Sequence, residues 1–97
     1  MYRYFRNWVE EQTDRLVELG IRTDTVNVVM DTANPSTTVD HSSSSCMGRV
    51  SVWQSGLMDA EILHCDTGRR LLYKHHQLNG ECNFNRVLKK YLEVMSL

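Results

Sequence analysis

The side chains able to do chemistry are few, and their spacing limits what they can do. His64, Cys65 and Asp66 are residue types of a nucleophilic triad, but they are consecutive. A working triad converges in space from separate stretches of chain, so thiol catalysis is not expected here. Zinc is held by ligand pairs such as Cys-x-x-Cys or His-x-x-x-His. The candidate ligands His64-Cys65 and His75-His76 are instead adjacent. Neighbours on a strand point to opposite faces and cannot chelate one ion. Cys46, Cys65 and Cys82 are odd in number and far apart, so they read as small apolar residues rather than a disulfide framework. Gly48, Gly56, Gly68 and Gly80 are isolated, so no phosphate loop is formed, and no nucleophile elbow is present. Asp59 and Glu61 lie two residues apart on one face of a strand. Paired carboxylates can carry acid–base work, but without a pocket they read as solvated residues on the polar side of a half-buried strand. No catalytic residue, no metal and no cofactor are therefore expected.

The elements that carry these residues follow from hydropathy period. Residues 3–19 read as a helix, with Phe5, Val9, Leu16 and Leu19 on one side, Trp8 flanking them and Gln12 interrupting the stripe. Gly20 suits the left-handed position after Leu19, and Ile21 could then touch Leu16, as in a Schellman motif. Strands follow. Residues 22–31 alternate, with Val26, Val28 and Met30 opposed to Thr25, Asn27 and Val29. Thr32-Ala33-Asn34-Pro35 is a turn. Residues 36–41 form a weaker strand with Thr37, Val39 and His41 sharing a face, and the serines 42–45 read as loop or frayed edge. Residues 46–54, 57–65 and 70–77 complete the strands, with turns at Ser55-Gly56 and at Asp66-Thr67-Gly68, where Gly68 takes positive φ. A closing helix over 80–95 is patterned by Phe84, Val87, Leu88, Tyr91, Leu92 and Met95, with Asn79 or Asn83 as its cap.

The order predicts an α+β two-layer sandwich: an N-terminal helix, a four- or five-stranded antiparallel meander and a C-terminal helix, with both helices on one sheet face. The 97 residues suffice for a single domain, 1–97. Eleven Lys and Arg against twelve Asp and Glu exclude an electrostatically driven nucleic-acid binder and a polybasic membrane tether. No apolar run approaches the roughly 20 residues that span a bilayer. Residues 1–8 have neither an uninterrupted apolar core nor a small-residue cleavage site, so a cytoplasmic location is expected. With both helices on one face, the other face is left for a partner. Val50 and Val52 are the core candidates of their strand, which turns Arg49, Ser51 and Trp53 outward beside Leu57, Asp59, Glu61 and Leu63, with Tyr73 and His75 beyond. Trp, Tyr, Arg and carboxylates on an exposed face make up the composition of a protein-binding hot spot.

The stretch Val50-Ser51-Val52-Trp53-Gln54-Ser55-Gly56-Leu57-Met58-Asp59-Ala60-Glu61-Ile62-Leu63, continuing through Asp66-Thr67-Gly68 to Leu71-Leu72-Tyr73-Lys74-His75-His76, resembles the TriTu family of immunity proteins. The N-terminal helix with Trp8-Val9-Glu10 and the closing helix resemble it too, and the likeness is weakest over 22–46. The residue after the Trp, commonly Glu in that family, is Gln54 here. The resemblance implies a non-enzymatic binder. Its partner would be a cognate toxin domain, an NAD-dependent ADP-ribosyltransferase acting on elongation factor Tu, bound one-to-one and blocked at its NAD site or its access to target. No nucleic acid, membrane or small-molecule substrate is implied. Trp53, Asp59 and Glu61 match the family motif as toxin contacts, and Ser55 and Gly56 match it as turn residues. Arg49, Tyr73 and His75 join the contacts through the sheet-face argument alone. Two rivals stay open: a small hydrolase that reverses the modification through Asp59 and Glu61, and a generic interaction adaptor or a homodimer pairing through the open face.

Overall fold

The computed structural model describes residues 1–80 and 82–97. Helix α1 spans Tyr2–Glu18 and is followed by five strands: β1 Arg22–Val29, β2 Ser36–Ser42, β3 Cys46–Trp53, β4 Leu57–His64 and β5 Arg70–Gln77. Two short helices close the described chain, α2 Phe84–Val87 and α3 Lys89–Met95. Each strand pairs antiparallel with its neighbour in sequence, in the order β1-β2-β3-β4-β5. The α+β meander expected from the pattern is the fold observed.

Tyr2, Phe5, Trp8, Val9 and Leu16 are buried along one side of α1, as three- and four-residue spacing requires. Leu19, expected in that stripe, is 41% exposed, because the helix ends before it. The end is a Schellman motif. Gly20 sits at φ +79°, its N–H donates to the Val17 carbonyl at 2.9 Å, and the Ile21 N–H donates to the Leu16 carbonyl at 2.8 Å. Ile21 and Leu16 are both buried. Gly68, at φ +71°, closes the β4–β5 hairpin by donating to the His64 carbonyl at 2.9 Å.

The core face of the sheet is Thr37, Val39 and His41 of β2, Cys46, Gly48, Val50 and Val52 of β3, Met58, Ala60 and Ile62 of β4, and Leu72 of β5. Helix α1 lies over β1–β3 and α3 over β3–β5. Phe5, Trp8 and Phe84 stack in a cluster with ring centroids 5.2–6.1 Å apart, which ties α1 to α2. Asn85 locks the same contact by accepting hydrogen bonds from Trp8 Nε1 and Arg15 Nη1, each 3.1 Å long.

Three expectations are corrected. The closing helix starts at Phe84, capped by Asn83, and breaks at Leu88, whose backbone (φ −97°, ψ 11°) leaves the helical region. Residue 81 of that expected helix lies outside the described residues. Strand β1 ends at Val29, ahead of Asp31 and the turn, and carries a bulge between Thr23 and Thr25 that plain alternation does not reveal. Ser42, expected to be loop or frayed edge, belongs to β2.

A buried polar contact fixes α3 on the sheet. His41 and Gly48 are cross-strand partners, and the Tyr91 ring lies over the glycine. Its hydroxyl shares a 2.8 Å hydrogen bond with His41 Nδ1. A Cβ on Gly48 would overlap the Tyr91 hydroxyl and stand 2.8 Å from the Met95 sulfur. Burial pushes the His41 imidazole down to about 4 from its usual 6.5, although Asp24 and Asp40 pull the other way. The unfolded chain therefore binds a proton that the fold refuses. Stability from this site is complete above pH 6.5 and is lost as the pH falls from 6.5 to about 4. Urea denaturation should show a loss of about 3 kcal/mol across that window, absent in His41→Gln. Gly48→Ala should lower the unfolding free energy by about 1–3 kcal/mol through overpacking, read in the same titration.

Candidate functional site

Period-two alternation places every second residue of the meander on the face away from the helices. Cross-strand register aligns those residues in rows. One row is Thr38, Ser51, Asp59 and His75. The next is Asp40, Arg49, Glu61 and Tyr73, and a third runs from Ser42 through Met47 and Leu63 to Arg70. Trp53, half-buried, stands at the opposite end across from Ser36. All six candidate contacts from the sequence, Arg49, Trp53, Asp59, Glu61, Tyr73 and His75, share this face. Arg49, Glu61 and Tyr73 are brought into one row, Asp59 and His75 into the next, and Trp53 stands apart beyond them.

The face is held by charge pairs. Arg49 grips Asp40 with two bonds, Nε to Oδ1 at 2.6 Å and Nη2 to Oδ2 at 3.3 Å. Thr25 Oγ1 donates to the same carboxylate at 2.8 Å. The Arg49 bond holds the Asp40 carboxyl below its ordinary range, and Asp40 in turn raises Arg49. Arg70 Nε lies 3.0 Å from Glu61 Oε2, and its guanidinium covers the Tyr73 ring at 4.9 Å. His75 Nδ1 is hydrogen-bonded to Asp59 Oδ1. Asp59 and Glu61 are thus each engaged with a neighbour on an open surface rather than facing each other across a cleft.

Across the second and third rows lies a shallow concavity of about 490 Å³ lined by Arg22, Asp24, Asp40, Met47, Glu61 and Leu63. The β1 bulge shapes its rim: Arg22 and Asp24 pair at 2.5 Å there, which keeps the Asp24 carboxyl low. The sequence reading missed Asp40, Arg70 and the Arg22–Asp24 pair. Their alignment depends on β2–β3 register and on two bulges, at Thr23/Thr25 of β1 and at Ile62/Leu63 of β4, and no local pattern marks either.

The thiols are not placed for chemistry. Cys46 is buried among core residues, and burial pushes the Cys82 thiol up, away from a reactive thiolate. His64 Nδ1 accepts from the Asp66 N–H at 3.2 Å, a turn contact that leaves Cys65 outside. Among the described residues no group of three or more His, Cys, Asp or Glu side chains is placed to hold a metal ion. Among them, too, no helix is long and apolar enough to cross a membrane.

Residues 3–94 match the family described as "Immunity protein TriTu". The chain belongs to that family. The match runs through the 22–46 stretch, where the resemblance was weakest, and through both ends of the fold. No curated protein sequence matches the chain. As a TriTu immunity protein it serves toxin neutralisation and has a cognate toxin as its partner, and families of this kind are generally non-enzymatic.

The exposed ion pairs of the TriTu face should contribute little to folding, since such pairs are worth about 0–1 kcal/mol. Arg49→Ala and Glu61→Gln should each unfold within about 1 kcal/mol of the unaltered protein in urea, making them clean probes of binding.

Proposed function

We propose that this TriTu protein neutralises an NAD-dependent ADP-ribosyltransferase toxin by docking its open sheet face, one-to-one, over the toxin's NAD site or its path to elongation factor Tu. The observation that carries the reading is the arrangement of that face. Trp53, Arg49 and Tyr73, the residue types richest in binding hot spots, share one surface that no helix covers. The cross-strand ion pairs hold Arg49, Glu61 and Asp59 in place before contact, so little side-chain freedom is lost on association. The interaction takes place in the cytoplasm, needs no cofactor and consumes no substrate. Net charge near −1 gives no strong general attraction, so affinity rests on a few buried anchors. The hydrolase reading is the weaker one. Asp59 and Glu61 lie on an open face, each engaged with a cation or imidazole, without the enclosed pocket that acid–base work requires.

The test is titration of the toxin domain encoded beside this gene, read by light scattering and by NAD-dependent transfer. A one-to-one complex is expected, with activity vanishing only near equimolar protein. Protection at a small fraction of the toxin concentration would instead establish turnover and remove the occlusion mechanism. Trp53→Ala should weaken the complex by about 2 kcal/mol, roughly thirtyfold in Kd. Unchanged affinity in the folded variant would take Trp53 out of the interface.

A further inference from the structure

The other side of β5 carries a second surface. Lys74 and His76 point to the core face of the sheet, opposite Ala60 and Met58, yet both are exposed. Leu72 is the one residue of β5 that is buried. The result is a groove of about 450 Å³ between β5 and the two helices. Its walls carry Lys74, His76, Arg86, Lys89 and Lys90, with Glu93 as the single carboxylate among its described lining residues. The chain contains only three lysines, and all three converge here from two separate elements. Arg6, Arg22, Arg49 and Arg70 are each ion-paired. Among the described residues, no carboxylate bridges Lys74, Arg86, Lys89 or Lys90. A protein with net charge −1 thus gathers all its lysines, with Arg86, at one groove, while Arg3, Arg15 and Arg69, which pair with no carboxylate among the described residues, lie elsewhere.

From this we infer that the groove receives an extended acidic segment of the partner toxin. The inference rests on the toxin-binding reading and adds a second contact to it. Three features select this occupant. Lys74 and His76 are two residues apart on one strand, about 7 Å, the spacing at which an extended segment repeats its same-face side chains. The cations are long, solvated side chains strung along a groove, which suits a row of carboxylates better than one compact anion. Strand β5 is also a sheet edge, so its outer backbone groups can take an added strand. Tyr73 and His75 project from the same strand to the open face, so a toxin seated there would hold the β5 edge from both sides.

The charge-reversed variant Lys74→Glu/Lys89→Glu, made in the full chain, separates this contact from the open face. Both positions are exposed, and an unchanged circular-dichroism melt would show that folding is kept. Against the neighbouring toxin domain, the variant should bind at least about tenfold more weakly, chiefly through slower association. The deficit should shrink as salt rises from about 50 mM to about 500 mM. Equal binding by variant and unaltered protein would overturn the groove while leaving toxin neutralisation intact. If the unaltered protein fails to bind the toxin, the immunity reading falls, and a peptide alternating glutamate and threonine decides the groove alone. Amide shifts confined to Lys74, His76, Arg86 and Lys89 would support it. No shifts at millimolar peptide, or a stronger response to pyrophosphate or duplex RNA, would overturn it.

Discussion

The side-chain alternation of a β-strand is the constraint from which most of this molecule follows. Successive residues must point to opposite faces, so a meander of short strands can bury only half of its side chains against one layer of helices. Val39, Val50, Val52, Met58, Ala60 and Ile62 take the buried half and meet α1 and α3. Apolar burial of that kind supplies most of the folding free energy. The residues between them are released from packing duty, and their chemistry is free to serve contact with another molecule. The buried half also sets what the helices can be. Gly48 leaves room for Tyr91, and the Tyr91 hydroxyl meets His41, so one missing Cβ seats α3 and partners an otherwise orphaned ring nitrogen.

The two faces are stabilised by different physics. Under the helices, close packing leaves little tolerance for added volume. On the open face, Arg49–Asp40, Arg70–Glu61 and His75–Asp59 are exposed or half-exposed pairs whose energetic value is small and salt-sensitive. They orient side chains more than they hold the fold. That division suits an immunity protein, which must keep its shape while its contact surface is matched to one toxin. Buried anchors then set dissociation, and rim charges set encounter rate and discrimination.

Much of this was legible in the residues. Period-two alternation separated Val50 and Val52 from Arg49 and Trp53, and it aligned Asp59 and Glu61 on one face. Gly20 after Leu19 signalled the end of α1, and Gly68 the last hairpin, because few other residues take positive φ cheaply. What could not be read was long-range. Asp40 becomes a partner of Arg49 only through β2–β3 register, and a single slipped residue would have sent it to the core. The bulge at Thr23/Thr25 inserts such a slip without a glycine or proline to mark it. The break at Leu88 lies inside an unbroken helical hydropathy pattern, since turning the chain from the α1 contact at Phe84 to the sheet contact at Tyr91 is a tertiary demand. The lysine groove joins residues from β5 and α3 that nothing in their local sequence relates.

The meander order has a consequence in time. Every strand pairs with its neighbour in sequence, so the sheet can zip hairpin by hairpin with short loops to close. The roof over the core face is assembled differently. Phe5 and Trp8 of α1 wait for Phe84, and Gly48 waits for Tyr91, contacts that span most of the chain. Helix α1 precedes the strands it covers, whereas the part of the apolar face under α3 has no cover until α3 docks. The speed of that docking then bounds how soon a newly made copy carries its full surface, and how long its uncovered apolar strip is open to proteases and to misassociation with its own kind.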